Sequence, residues 1–238
     1  MWDKDVAEIY DMVYRARGKD YRAEAKEITQ LIRERRPDAE SLLDVACGTG
    51  EHLLSLSEHF GHVEGLEISA GMLSVTRAKL PDVTLHPDNM CTFELGRSFD
   101  AITCLFSSVG YLPSLDALNA AVSRMVAHLS PGGVLVIEPW WSPDRFLDNY
   151  VSSHLVEEAG TTVARVSHTR RESPDSRHAV MSLHFVVASP TGIRHFEETH
   201  RIALFTQAEY LTAFTLAGCK AEFVEDVSTY CGLYIATR

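Results

Sequence analysis

Asp44-x-Ala46-x-Gly48-x-Gly50, inside the stretch SLLDVACGTGEHL, holds residue types that do chemistry at close quarters. An acid near the end of an apolar run, followed by two glycines one residue apart, makes a turn in which bare backbone approaches a ligand. Two ligand classes compete for it. A dinucleotide needs G-x-G-x-x-G opening a helix, so that a pyrophosphate meets the helix N-terminus. Here the third glycine position is Leu53 and Glu51 directly follows the turn, so that fingerprint fails.

The other ligand is S-adenosylmethionine, whose methionine part carries an ammonium, a carboxylate and a positive sulfur. It asks for an acid or carbonyl toward the ammonium and for close backbone beside the thioether arm. Both readings want an acid on the ribose hydroxyls at the end of the next strand, and Glu67 closes VEGLE there. The third strand must bring polar groups to the adenine, and HPDNM supplies Asp88, Asn89 and Met90. The missing third glycine decides for the sulfonium cofactor. A glycine turn of purely steric meaning loses weight once Glu67 and Asn89-Met90 stand at the next two strand ends.

These residues need a parallel sheet to hold them. Short apolar runs at 41–45, 63–68, 83–85, 99–105 and 133–138 read as strands. Helical spacing over 51–59, 70–79 and 115–129 separates them, and the turn Pro131-Gly132-Gly133 precedes the fifth strand. Two further helices are expected ahead of them, over 3–14 and 21–36, with Gly18 between. The alternation predicts an α/β, Rossmann-like fold covered on both faces, with ligands at the carboxyl ends of the strands. The pattern then changes. Residues 155–205 read as a small antiparallel β insertion of three strands, near 162–169, 179–187 and 194–204. A helix over 207–217 and strands near 220–225 and 232–236 close a single domain spanning 1–238.

Composition narrows the partners. With 33 acids against 22 bases the formal net charge is −11, which repels nucleic acid and anionic membranes. No apolar run approaches the roughly 18–20 residues of a membrane span. The N-terminus lacks an apolar signal core. The five cysteines show no paired spacing and read as reduced thiols, so a cytoplasmic location is expected. The histidines show no ligand spacing and no metal is expected; His195 and His200 read as structural or surface residues. A small anionic substrate remains open if a few bases line one pocket. Arg15, Arg17 and Lys19 form one basic group and Arg170 and Arg171 another, the second being preferred as the anchor.

The motif order resembles class I S-adenosylmethionine-dependent methyltransferases. The match is closer to the dTDP-aminosugar N-methyltransferases and N,N-dimethyltransferases of antibiotic biosynthesis. It is carried by IYDMVY, GKDY, SLLDVACGTG, VEGLEIS, FSSVGYL, GGVLVIEPWW, RVSHTRRE, RHFEETHRI and LFTQAEY, which span nearly the whole chain. The resemblance implies a mostly parallel seven-stranded sheet, an insertion that pairs subunits into a homodimer, and transfer of one or two methyls to the amine of a dTDP-linked deoxyaminosugar. It also implies roles. Tyr10 and Tyr21 lie near the methionine moiety. Ala46 and Gly48 form the backbone turn, Glu67 binds ribose and Met90 lies at the adenine. Ser107, Ser108 and Tyr111 stand beside the reactive centre, and Trp2, Trp140 and Trp141 near the sugar or base. Leu105, closing the fourth strand, is grouped with the cofactor residues, and Tyr230 with the substrate residues.

Two positions depart from the family. Its Gly-Asp-Met is Asp88-Asn89-Met90 here, with an amide oxygen available to accept from the adenine amino group. Its Ser-Gly-Arg-Gly is Thr229-Tyr230-Cys231-Gly232, so Cys231 replaces an arginine suited to clamp a pyrophosphate.

Methyl transfer displaces a neutral leaving group, so alignment matters more than charge stabilisation. Tyr111, Ser107, Ser108 and His168 are the candidates to accept the released proton, with orientation ranked above base catalysis. Trp140-Trp141 either packs core and rim or walls a pyranose or thymine. A small-molecule O- or N-methyltransferase acting on a non-nucleotide acceptor, and a non-catalytic cofactor-binding partner, are the competing functions.

Overall fold

The computed structural model describes residues 4–225, 227–229 and 231–238. Strands β1 (Ser41–Val45), β2 (His62–Leu66), β3 (Thr84–His86), β4 (Phe99–Cys104) and β5 (Leu129–Ile137) alternate with helices α3 (Glu51–Ser57), α4 (Ala70–Lys79) and α5 (Leu115–Ala127). Helices α1 (Lys4–Ala16) and α2 (Tyr21–Arg35) precede them. After the insertion come α6 (Gln207–Leu216), β10 (Lys220–Val224) and β11 (Leu233–Thr237). The strands form the expected seven-stranded sheet in the order β10-β11-β5-β4-β1-β2-β3. Pairing is parallel from β3 to β5 and antiparallel at β11 and β10. The order reverses between β1 and β4, which opens a crevice at their carboxyl ends.

Alternation along each strand supplies both faces of this sheet. Leu42, Ala101, Val134 and Val136 pack on Ala25, Ile28 and Ile32 of α2 and on Leu53 and Leu56 of α3. Their neighbours Leu43, Ile102, Leu135 and Ile137 pack on Leu118, Val122 and Met125 of α5 and on Tyr210 and Phe214 of α6. Burial on both sides is why these strands read as near-continuous apolar runs. Side chains cap several helices: Asp20 accepts from Ala23 N for α2, Ser69 from Met72 N for α4, and Thr206 with Glu209 forms a capping box on α6. Helix α3 begins at Gly50 without a side-chain cap.

Two expectations change. The Pro131-Gly132-Gly133 turn does not precede β5 but lies within it, as a bulge. Phe99 pairs with Leu129 and Ala101 with Val134, and the C-terminal Arg238 pairs with the bulged glycines. The insertion has four strands rather than three: β6 (Tyr150–Glu158), β7 (Thr161–Arg171), β8 (His178–Ser189) and β9 (Gly192–Ala203), antiparallel in that order. The missed strand β6 lies at an edge and buries only Val156, so its sequence carries no alternation to read.

Helix α1 joins the two sheets. Val6, Ile9 and Val13 pack on Val163, Leu183, Phe185 and Val187 of the antiparallel sheet. The opposite end of the interface reaches the crevice, where β9 packs on the short 3-10 turn Ser108–Tyr111 that follows β4. No helix among the described residues is long and apolar enough to cross a membrane.

Candidate active site

The glycine turn runs through left-handed backbone at Ala46 (φ 58°), Gly48 (φ 58°) and Gly50 (φ 81°). Gly50 must be glycine on two counts: its φ is positive, and a Cβ there would stand 2.6 Å from Thr76 Cγ2. Thr76 Oγ1 donates to Gly48 O at 2.7 Å and ties the turn to α4. Glu67 holds the other side: its carboxylate accepts from Gly48 N at 3.0 Å and from Ser69 N at 2.7 Å. Beside Gly48 a Cβ would meet nothing within 4 Å, so open space faces bare backbone there. Beneath the turn Asp44 is buried and accepts from Thr103 Oγ1 at 2.7 Å. Burial, aided by the Glu67 charge, pushes its carboxyl up to about 7.

Helix α1 crosses above this turn. Asp11 accepts from Thr49 Oγ1 at 2.5 Å and pairs with Lys79, which also bonds Glu51 at 2.6 Å. Asp11, Thr49, Lys79 and Glu51 thus lock α1, the turn and α4 together. Sequence reasoning passed over three of them, because residues so far apart in the chain share no motif.

Next to the turn lies an aromatic mouth. Phe106 (φ 52°) and Ser107 (φ 61°) are strained left-handed residues just after β4. Glu138, buried at the end of β5, accepts from Phe106 N at 2.6 Å and stabilises that bend. Burial drives the Glu138 carboxyl up to about 7, against the lowering influence of Lys19. The Phe106 ring meets Tyr14 edge-on at 4.8 Å and Tyr10 and Tyr21 at 6.4 Å. Lys19, ion paired with Glu24 at 2.7 Å, sits 4.1 Å from the same ring. Tyr21 is 7% exposed, and its hydroxyl has no hydrogen-bond partner among the described residues. That orphaned hydroxyl, the open face at Gly48 and the acid at Glu67 together fit a nucleoside whose methionine arm enters between them.

The predicted catalytic residues separate. Tyr111 stands at the crevice, half-exposed, with its ring 5.5 Å from His200. His200 is buried, and that burial lowers its imidazole pKa to about 4. Its strand position gave no sign of this contact. Gly110 lets the loop close here: a Cβ would lie 2.9 Å from Ile202 Cγ2 and 3.1 Å from Trp140 Cβ. The serine hydroxyls donate to backbone, Ser107 to Pro139 O at 2.8 Å and Ser108 to Leu105 O at 2.9 Å. They shape the loop rather than stand as free bases. His168 is exposed, on the face of β7 opposite buried Ser167 and Thr169, and is not brought to the mouth.

The remaining predicted residues divide as follows. Leu105 is buried under the loop, and Met90 packs on the core below α5. Asn89 is exposed and its amide oxygen accepts from Cys91 N at 2.9 Å, which turns it back onto the chain. Trp140 is half-buried beside Gly110 and Phe146, while Trp141 stacks with Arg145. Arg171 donates to Ser176 O at 3.1 Å and Pro143 O at 2.7 Å, and Arg170 to Arg171 O at 3.0 Å. Both arginines are engaged in holding local loops. Cys231 is buried, and burial near Glu138 raises its thiol to about 12. Trp2 and Tyr230 lie outside the described residues.

The sheet order, the glycine turn at its switch point and the acid closing β2 define a class I methyltransferase fold. A methyltransferase-domain family model matches residues 42–133. Over 236 residues the chain is 51% identical to a dTDP-3-amino-3,4,6-trideoxy-alpha-D-glucopyranose N,N-dimethyltransferase of Streptomyces venezuelae, covering 99% of this chain and 98% of that one. It is 49% identical to a dTDP-3-amino-3,6-dideoxy-alpha-D-glucopyranose N,N-dimethyltransferase of Streptomyces fradiae, covering 97% and 89%. Among solved structures, Streptomyces venezuelae DesVI superposes with a TM-score of 0.94 at 50% identity, over 99% of each chain. S-adenosylmethionine-bound CalS10, an amino pentose methyltransferase from Micromonospora echinaspora, gives 0.88 at 48% identity, over 97% of this chain and 96% of that one. The chain belongs to the S-adenosylmethionine-dependent methyltransferases, within the group of the dTDP-aminosugar N,N-dimethyltransferases.

Proposed function

We propose that this protein methylates the amino group of a dTDP-linked deoxyaminosugar twice, giving the N,N-dimethyl product in natural-product biosynthesis. The observation that carries the reading is similarity over the full chain to the Streptomyces venezuelae enzyme, insertion included. The cofactor, when bound, supplies a methyl group on a positive sulfur and leaves neutral.

The protein's part is binding and alignment. Glu67 holds the ribose hydroxyls, and the backbone of Ala46, Gly48 and Gly50 holds the methionine arm. Tyr10 and Tyr21 close over that arm, and Met90 lies against the adenine. Tyr10 and Tyr21 are raised by burial and remain protonated, while His200 is held neutral and weakly basic. No ready base therefore faces the mouth among these groups. That suits an amine, which brings its own lone pair, over a hydroxyl acceptor, which needs deprotonation. Tyr111 orients the amine, and Tyr111→Phe is expected to slow turnover modestly; a loss beyond about a thousandfold would instead mark an acid–base role.

The exposed face of the antiparallel sheet supports a homodimer. Val151, Leu155, Val166 and Val186 are 42–70% exposed there, a concentration of apolar surface on one face. The five free cysteines fit the cytoplasm. Incubation with S-adenosylmethionine and a panel of dTDP-aminosugars, read by mass spectrometry, tests the function. The expected result is stepwise gain of two methyl masses; reaction of non-nucleotide acceptors alone would overturn it.

A further inference from the structure

Arg165 is buried in a manner that folding alone does not explain. Along β7 the residues Val163, Arg165, Ser167 and Thr169 alternate onto the buried face, which places Arg165 on the side that packs against α1. It is 3% exposed, and its Nη1 has no hydrogen-bond partner among the described residues. Across the sheet it is in register with His154 on β6 and Phe185 on β8, neither of which offers a negative charge. Burial lowers its pKa; Arg17 lowers it further, and the hydroxyls of Tyr10, Tyr14 and Tyr150 oppose this. Arg17 lies over the Tyr14 ring at 5.2 Å. Among the described residues, neither arginine pairs with a carboxylate.

Several other arginines do find an acid, and of those without one Arg165 is the buried one among the described residues. Arg22 pairs with Glu58, Arg36 with Asp100, Arg97 with Glu64 and Arg194 with Asp5 and Glu8. With a net charge of −11 the sequence has acids to spare, yet none is set against these two. A buried cation without a partner costs stability, and such costs are retained where a ligand supplies the missing charge. The position fits a ligand. Tyr10 and Tyr14 lie one turn apart on α1, Arg17 follows directly after the helix over the Tyr14 ring, and both tyrosines also contact Phe106 at the mouth. The two guanidinium groups therefore stand beside the same crevice as the reactive centre.

We propose that Arg165 and Arg17 anchor the diphosphate of the substrate. This rests on the reading of the substrate as a nucleoside diphosphate sugar. It replaces Arg170 and Arg171 in that role and removes the difficulty at Cys231, whose neutral thiol cannot hold an anion. Paired guanidinium groups on a diphosphate are the geometry arginine serves best.

The test is calorimetric titration of dTDP into the enzyme saturated with S-adenosylhomocysteine, for wild type, Arg165→Gln, Arg165→Lys and Arg17→Gln. Losing a desolvated charge–charge contact should weaken dTDP binding about 30-fold or more in Arg165→Gln, with less loss in the other two. Thymidine and S-adenosylhomocysteine affinities should be unchanged, and the KM for the sugar nucleotide should rise far more than kcat falls. The unliganded Arg165→Gln protein should melt no lower than wild type, since it loses an unpaired buried charge, and Arg17→Gln provides a variant at the exposed end of the site. If wild type binds dTDP and the variants bind it equally well, the anchor is elsewhere while the substrate reading stands. If wild type does not bind dTDP at all, the substrate reading falls and the anchor with it.

Discussion

Removing the Glu67 carboxylate is the perturbation whose consequence can be worked furthest. The side chain is 8% exposed, and each of its oxygens accepts a backbone N–H, from Gly48 at 3.0 Å and from Ser69 at 2.7 Å. Burial raises its pKa, and these backbone donors pull it back. In Glu67→Ala both donors lose their partner, and the ribose hydroxyls lose theirs. Two hydrogen bonds to a charged acceptor are worth about 1.5 kcal/mol each at the low end, so cofactor affinity should fall about 100-fold. Glu67→Gln should fare little better, because one end of the amide must set an NH2 against a backbone donor. Isothermal titration with S-adenosylhomocysteine and its 2′-deoxy analogue separates ribose binding from turn shaping. In wild type the missing hydroxyl should cost affinity; in Glu67→Ala it should cost almost nothing, since the partner is already gone. An affinity within about fivefold of wild type, or equal hydroxyl losses in both proteins, would refute the ribose assignment.

Gly50→Ala should lower stability by about 2–4 kcal/mol and the melting temperature by roughly 5–10 °C, from left-handed strain plus the contact with Thr76; differential scanning calorimetry showing no change would contradict it. Asp44 and Glu138 hold their protons up to about 7 when folded but release them near 4 when unfolded, so their contribution to stability is greatest at low pH and is lost as pH rises from about 4.5 to 7. Glu138→Gln keeps an acceptor for Phe106 N, and its melting temperature should gain on wild type between pH 5 and pH 8; a constant difference would argue against a raised pKa. Val166→Glu places a charge on the exposed face of the antiparallel sheet and should give monomers by light scattering, provided wild type is a dimer; a dimeric variant would put the interface elsewhere.

The strand–helix alternation, the glycine turn and the acid at the end of β2 were all legible in the sequence, because each is a local requirement. A strand buried on both faces must be mostly apolar, as Val134–Ile137 is throughout and Leu42–Val45 is apart from Asp44. A left-handed turn packed on Thr76 must carry Gly50. What the chain did not show is how distant residues meet. Edge strand β6 has almost no buried residues and hence no pattern. The serines of FSSVGYL read as candidates to accept the released proton, and only the tertiary structure turns them onto Pro139 O and Leu105 O. His200 became relevant when β9 folded over Tyr111. Every arginine carries the same charge in the sequence; packing alone decides that Arg171 is tied to carbonyls while Arg165 is buried with no acid beside it. Local conformation follows from residue type and spacing, whereas the partners of a charge are set by contacts between elements far apart in the chain.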